Sequence, residues 1–261
     1  MHARGTALAV EGLTLAYGAE PVLQEVGFRV PHGSVFVVMG ESGCGKSTLL
    51  RALIGLLPPV AGEVWIAGRP LWRSEPAERS RILRRVGVLF QSAALWSALS
   101  LGDNIALPLR RRTGLSRGEI RDLVAFKLAL VGLAGMEHRH PHELSGGMRK
   151  RAGIARALAL DPELVLMDEP SAGLDPLSAR RLDELILELR ESLEVTFLLI
   201  THDLDTLLGI GEDSVFLDAA TRTVLATGAP RRLAREGPDK VRAFLSRGSA
   251  RTSPLVPGAT P

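Results

Sequence analysis

Apolar residues change their rhythm along this chain, and the changes mark its elements. Near the N-terminus, apolar stretches punctuated by Gly and Pro (ALAVEGLTLAY, then PVLQEVGFRV) predict strands. The next stretch, SVFVVM, is the uninterrupted apolar run expected of a strand buried on both faces. It leads into GESGCGKSTLL, where the spacing turns helical. VWIAG and VGVLF predict two more strands, with the basic stretch ERSRILRR between them. From about 102 to 160 the pattern predicts helices, in GDNIALPLR, RGEIRDLVAFKLALVGL and GGMRKRAGIARALAL. Strand and helix alternate again through LVLMD, DPLSARRLDELILELRESL and VTFLLIT. This order predicts a parallel α/β sheet interrupted by an all-helical insertion. Two short helical pieces, APRRLAREG and PDKVRAFLSR, follow residue 228. The Gly/Pro/Ser/Thr-rich tail is an expected disordered segment.

Composition narrows the function classes. The 261 residues are 46% hydrophobic and 23% charged, ordinary globular values that exclude disorder for the bulk of the chain. A formal charge of +3, from 32 basic and 29 acidic residues, needs neither nucleic acid nor anionic lipid to balance it. Seven Phe, three Trp and one Tyr are too few for a base-stacking platform, so no nucleic-acid partner is expected. One cysteine, Cys44, excludes an internal disulfide and a Cys-rich metal site. MHARGTALAV lacks a signal-peptide h-region, and no apolar run approaches the roughly 18 residues of a membrane span, so a cytosolic location is expected. Only Lys46, Lys127, Lys150 and Lys240 are lysines, a bias that reads as coding composition.

Chemistry concentrates in three places. Gly40-Glu41-Ser42-Gly43-Cys44-Gly45-Lys46-Ser47 fits G-x-x-x-x-G-K-[ST] between a buried strand and a helix, and these residues with Thr48 are expected to bind the nucleotide. Its glycines let the backbone wrap phosphates, and the helix N-terminus adds partial positive charge. Lys46 is expected to reach the β- and γ-phosphates, and the Ser47 hydroxyl to ligate Mg²⁺. Leu164 to Glu169 is an apolar strand ending in two carboxylates. Asp168 is placed to hold Mg²⁺ through water, and Glu169 is the candidate general base for an attacking water. Ser145-Gly146-Gly147 at a helix start forms a second anion cradle. One chain seldom needs two cradles for one nucleotide, which points to a head-to-tail pair of subunits, each completing the other's site.

Residues 7–228 resemble the ATP-binding cassette (ABC) subunits of transporters, with every motif in order. The resemblance assigns Tyr17 to adenine stacking, 40–47 to the Walker A loop, 144–148 to the signature and 164–169 to Walker B. It assigns Gln91 to sensing Mg²⁺ and the membrane subunit, Ser171 to Asp175 to the D-loop, and His202 to contacting the γ-phosphate. It implies ATP and Mg²⁺ as ligands and an ATP-sandwich homodimer. The fold implied is α/β: a P-loop NTPase (RecA-like) core, residues 1–93 and 161–228, with an antiparallel β edge. An inserted helical subdomain (94–160), a C-terminal helical extension (229–247) and a disordered tail (248–261) complete the expected domains. Glu41 is a variant the family tolerates, with a side chain free to face solvent, and Met148 replaces the commoner Gln.

PHELSGGMRKRAGIARALALDPELVLMDEPSAGLDP, LFQSAALWSALSLGDNIALPLR and GPDKVRAFL together look like the ATPase of MCE-type (Mla) phospholipid transporters. That branch implies an integral membrane permease, an MCE-domain protein and a STAS-domain subunit as partners. It places the chain at the cytoplasmic face of the inner membrane. The alternatives are the ATPase of an amino-acid or compatible-solute importer and a soluble non-transport ABC ATPase. The presence of Lys46, Glu169 and His202 argues against a catalytically dead module.

Further expectations concern single features. Cys44, at a helix N-terminus, is expected to have a lowered thiol pKa. The apolar stretch around Trp96 is expected to dock the membrane subunit. The Arg149-Lys150-Arg151 run reads as a solvated helix face, and His138, His140 and His142 as a surface loop. Val241, Phe244 and Leu245 form one apolar stripe, which can pack on its own cassette, on a neighbouring subunit or on a small accessory partner, and its loss is expected to weaken the complex more than the lone subunit.

Overall fold

The computed structural model describes residues 5–246. The expected tail 248–261 and Arg247 lie outside the described residues. The N-terminal half runs β1 (Thr6–Tyr17), β2 (Glu20–Pro31), β3 (Val35–Gly40), α1 (Lys46–Leu53), β4 (Ala61–Ile66), β5 (Arg69–Pro70), α2 (Pro76–Leu83) and β6 (Val86–Leu89). Three α-helices follow, α3 (Leu101–Arg112), α4 (Arg117–Leu130) and α5 (Gly146–Ala157), the last preceded by a 3₁₀ turn. The chain then returns to β7 (Leu164–Asp168), α6 (Pro176–Leu193), β8 (Thr196–Ile200), α7 (Leu204–Ile210), β9 (Asp213–Leu217) and β10 (Val224–Thr227). It ends in α8 (Pro230–Glu236) and α9 (Asp239–Ser246).

Two sheets form. The first is antiparallel, in the order β2-β1-β4-β5. The second has the order β10-β9-β3-β8-β7-β6, parallel throughout except for β10 at its edge. Alternate residues of the parallel strands enter different cores. Phe36, Val38, Leu166, Leu198 and Val215 pack with the antiparallel sheet and α1. Val37, Met39, Val165, Phe197 and Phe216 pack with the helices on the other face. A strand buried on both faces has no polar side to present, which is why its sequence is apolar without alternation. The α/β core, the antiparallel edge and the helices between β6 and β7 match the fold expected from the sequence.

Helix ends follow local chemistry. Ser116 and Glu119 form a capping box on α4. Asp175 caps α6, accepting from Ser178 N at 3.0 Å, with Pro176 in its first turn. No helix of the described residues is long and apolar enough to cross a membrane.

The structure decides between the alternatives for the last helix. Val241, Phe244 and Leu245 are buried within their own chain, and Phe244 meets Phe216 edge-on with centroids 5.3 Å apart. The hydrophobic stripe therefore serves the core of its own subunit. A core face was within reach because β9 and α8 leave Phe216 and Leu233 in the cluster that α9 joins.

Candidate active site

The first cradle follows β3. Gly40 has φ 153°, and a Cβ there would lie 2.5 Å from the Leu217 carbonyl oxygen, so neither the backbone angle nor the space admits a side chain. Gly45, with φ 98°, starts α1 without a side-chain cap, leaving the leading N–H groups of the helix for a ligand. Lys46 Nζ donates to the carbonyls of Gly40 at 2.7 Å and Glu41 at 2.9 Å, curled within the loop. Gly43 (φ 79°), Ser42 and Ser47 lie at the exposed rim, and Thr48 is buried in α1. Tyr17 is exposed beside α1, its hydroxyl accepting from Arg51 Nη1 at 2.8 Å.

Two expectations in this loop are overturned. Cys44 is buried, and burial pushes its thiol above the ordinary value against the opposing charge of Lys46. Desolvation outweighs Lys46, so the thiol shifts in the direction opposite to the expectation. The Glu41 carboxylate does not stand free in solvent; it pairs with Lys240 at 3.3 Å.

The second group of residues sits where β7 and β8 end, beside the loop that follows β3. Because β8 lies between β3 and β7, the carboxyl ends of all three strands are adjacent, and distant segments meet there. Asp168 pairs in register with Ile200. Burial pushes its carboxyl up, Glu169 adds to the rise, and Lys150 and Lys46 oppose it. Glu169 has φ 47°, a left-handed backbone that costs a non-glycine residue about 1–3 kcal/mol. Hydrogen bonds at every polar group hold it there. Its N–H donates to Ile200 O at 2.8 Å and its carbonyl accepts from Lys150 Nζ at 3.0 Å. Its carboxylate meets His202 Nδ1 at 2.6 Å and accepts from Thr201 Oγ1 at 3.3 Å. The Glu169 side chain is 14% exposed and that of His202 70%, so the pair presents an imidazole outward and a carboxylate inward. Ser171 Oγ donates to Asp203 Oδ2 at 2.8 Å, tying the segment after Glu169 to the loop that carries His202.

Ser145 is exposed and caps α5, accepting from Met148 N at 3.3 Å. Gly146 and Gly147 form the first turn of that helix. Among the described residues, no hydrogen bond joins these three to the loop after β3, so the structure does not bring the two cradles together within one chain. Gln91 has an exposed side chain just past β6.

Sequence reasoning missed Lys150 and Thr201. Lys150 is not part of a solvated face: it is 5% exposed, and its Nζ donates to Gln91 O at 2.6 Å and Glu169 O at 3.0 Å. Burial pulls its pKa down while Glu169 and Asp168 oppose the shift. One ammonium thus joins the helix of the second cradle to the segments bearing Gln91 and Glu169. Its scarcity as a lysine among arginines was the available signal.

The oxygen donors of Ser47, Gln91 and Asp168 suit Mg²⁺, which is commonly held by one or two carboxylates together with substrate phosphates. Among the described residues no cluster of three or more His, Cys, Asp and Glu forms a metal cage.

A glycine-lined phosphate loop, a strand ending in paired acids and a facing histidine define a P-loop nucleotide-binding cassette. The chain belongs to the ABC transporter family, whose match covers residues 23–172. It is 38% identical over 238 residues to the intermembrane phospholipid transport system ATP-binding protein MlaF of Haemophilus influenzae, covering 91% of this chain and 89% of that one. To the MlaF of Escherichia coli K12 it is 37% identical over 228 residues, covering 87% and 84%. It is also 45% identical over 201 residues to the probable ribonucleotide transport ATP-binding protein mkl of Mycobacterium tuberculosis. That match covers 77% of this chain but spans only 56% of the mycobacterial protein. Among solved structures, cbiO1 of Clostridium perfringens, part of an ABC transporter complex, superposes with TM-score 0.81 at 27% identity, covering 94% and 98%. The dimeric cassette MJ0796 bound to ADP and Pi gives TM-score 0.75 at 30% identity, covering 84% and 97%.

Proposed function

We propose that this chain hydrolyses ATP as the motor subunit of a phospholipid transporter, working as a homodimer beneath an integral membrane permease. The observation that carries the hydrolytic reading is the Glu169 carboxylate, fixed by Thr201 and His202 at the strand ends beside the phosphate loop. Glu169 takes the proton of the attacking water, and His202 orients the carboxylate from outside. Lys46 leaves the loop carbonyls for the phosphates of ATP, and Tyr17 stacks the adenine. Mg²⁺, held by Ser47, Gln91 and Asp168, supplies charge neutralisation at the phosphates. The Ser145-Gly146-Gly147 cradle faces the nucleotide of the opposing subunit.

Glu169→Gln tests the assignment. ATP turnover should fall by about 10²–10⁴-fold while binding persists and a dimer accumulates on size exclusion with Mg²⁺-ATP. Wild-type turnover by this variant would remove Glu169 from the role.

The phospholipid branch rests on the MlaF relatives, which align over most of both chains. On this reading its partners include an MCE-domain protein and a STAS-domain subunit, and it works at the cytoplasmic face of the inner membrane. Trp96, 62% exposed, lines a groove of about 590 Å³ with Leu83, Leu107, Pro108, Arg111 and Arg156, a surface suited to a permease segment. The mkl relative supports a second reading, ribonucleotide transport. Mass spectrometry of small molecules retained by the purified complex separates the two: phospholipid supports the first, and ribonucleotide bound outside the cassette supports the second.

A further inference from the structure

The first residue after Gly40 is held from both ends. The Glu41 carbonyl accepts from Lys46 Nζ at 2.9 Å, and its carboxylate lies 3.3 Å from the Nζ of Lys240. Lys240 belongs to α9, about 200 positions further along the chain and outside every nucleotide motif. The same ammonium pairs with Asp218, whose carboxylate is buried at the end of β9. Asp218 Oδ2 accepts in turn from the N–H and hydroxyl of Thr221, both at 2.9 Å. Asp218 directly follows Leu217, the register partner of Gly40, so the acid stands beside the start of the phosphate loop. Lys240 holds the Asp218 carboxyl at about 2, with Thr221 assisting, and Asp218 raises the lysine in return.

The charges make this arrangement consequential. A loop whose backbone amides cradle phosphates carries a carboxylate of the same sign as its ligand at Glu41. Like charges so close repel, and a cation on the carboxylate removes much of that repulsion. The buried core contacts of Val241, Phe244 and Leu245 fix the helix that delivers the cation. We infer that Lys240 is a positioning residue for nucleotide binding: from the C-terminal extension, it neutralises Glu41 and steadies the phosphate loop. This deepens the nucleotide-site reading above and rests on it. Through this contact, whatever displaces α9 also weakens the grip on ATP.

The test is fluorescence titration of the full chain with Mg²⁺ and an N-methylanthraniloyl ATP analogue, alongside steady-state hydrolysis. Lys240→Met should weaken binding about five- to tenfold, within the range of coupling between contacting residues. KM should rise by a similar factor with kcat within about twofold, and Lys240→Arg should retain most of the affinity. Adding Glu41→Gln to Lys240→Met should restore binding, because the uncompensated charge is gone. Unchanged affinity in Lys240→Met overturns the inference. So does a loss that Asp218→Asn restores and Glu41→Gln does not, since the lysine would then serve only the end of β9. Should Lys240→Met not fold, Glu41→Gln alone decides: with Lys240 still held by Asp218 and the loop's negative charge gone, binding should tighten about two- to threefold at low salt, and no change overturns the inference. Failure of the wild-type chain to bind the analogue would instead overturn the nucleotide-site reading itself.

Discussion

Two helix N-termini in this molecule are shaped for anions, and they are finished differently. The start of α1 has no side-chain cap, three positive-φ glycines in the loop before it, and a lysine curled inside. Across the sheet ends from it stand a carboxylate and a histidine that can act on water. The start of α5 is capped by its own Ser145, and its two glycines lie in regular helix. The first cradle thus has the parts to bind and to react; the second has parts only to bind. An exposed half-site of this kind gains its use from another surface, the logic of an isologous dimer in which each subunit supplies what its partner lacks.

That contrast breaks most clearly in a mixing experiment. Lys46→Ala should weaken ATP binding by about 10- to 100-fold, as loss of a charge-assisted contact does. Ser145→Arg should leave binding nearly intact but reduce turnover by about 100-fold or more. Either variant alone is inactive, yet an equal mixture should recover about a quarter of wild-type turnover, since half the dimers then hold one intact composite site. No recovery would mean that one intact composite site is not enough for turnover.

A smaller effect comes from the wall that joins the cradles. A Cβ at Gly153 in α5 would sit 2.5 Å from Leu89 Cδ1 of β6 and 3.1 Å from the Ala93 side chain. Gly153→Ala should therefore destabilise the fold by about 1–3 kcal/mol in denaturant unfolding. If α5 must keep its seat for the second cradle, turnover should suffer more than binding; equal losses would blur the distinction.

The smallest effect lies outside both cradles and serves as a control. Burial pushes the Asp183 carboxyl up to about 6, with the Thr206 hydroxyl opposing. Between about pH 4 and 6 the folded chain keeps a proton that the unfolded chain releases, so this group's stabilisation falls as pH rises through that window. Asp183→Asn should flatten the slope by on the order of 1–2 kcal/mol, allowing for the water that reaches the carboxyl. Binding and turnover should not separate in this variant. A split between them would extend the site to α6.

Local rules made the first cradle legible. Glycine spacing, the lysine and the buried strand before them all lie within one short segment, and each has a steric or electrostatic reason visible in the residues. The paired acids of Asp168 and Glu169 were legible because apolar strands rarely end so. What escaped depends on strands that meet only in the folded sheet. Nothing local reveals that β8 separates β3 from β7, or that Thr201 faces Glu169. Glu63, just before the strand read in VWIAG, is buried and accepts from the N–H groups of Val64, Trp72 and Arg73 at 2.8–2.9 Å, partners that no local pattern shows. The lysines were the most misleading signal. Beyond coding bias, all four place a compact ammonium among oxygen acceptors: Lys46 and Lys150 on carbonyls, Lys127 on Asp161, Lys240 on Asp218 and Glu41. A planar guanidinium fits the carbonyl pockets of Lys46 and Lys150 poorly, whereas the carboxylates facing Lys240 can accept from either cation.

The strand order also sets when the protein first becomes able to bind nucleotide. β3 neighbours only β8 and β9, so Val35 waits for Phe197 and Gly40 for Leu217. Contacts so far apart in the chain close late, after the entropy of a long loop has been overcome. On the ribosome, β3 is translated early but has no hydrogen-bonded neighbour until β8 emerges, and Gly40 has none until β9 does. Truncated or stalled chains that end before β9 therefore leave one edge of β3 unpaired and Gly40 without its partner Leu217, the kind of unpaired strand edge that invites aggregation.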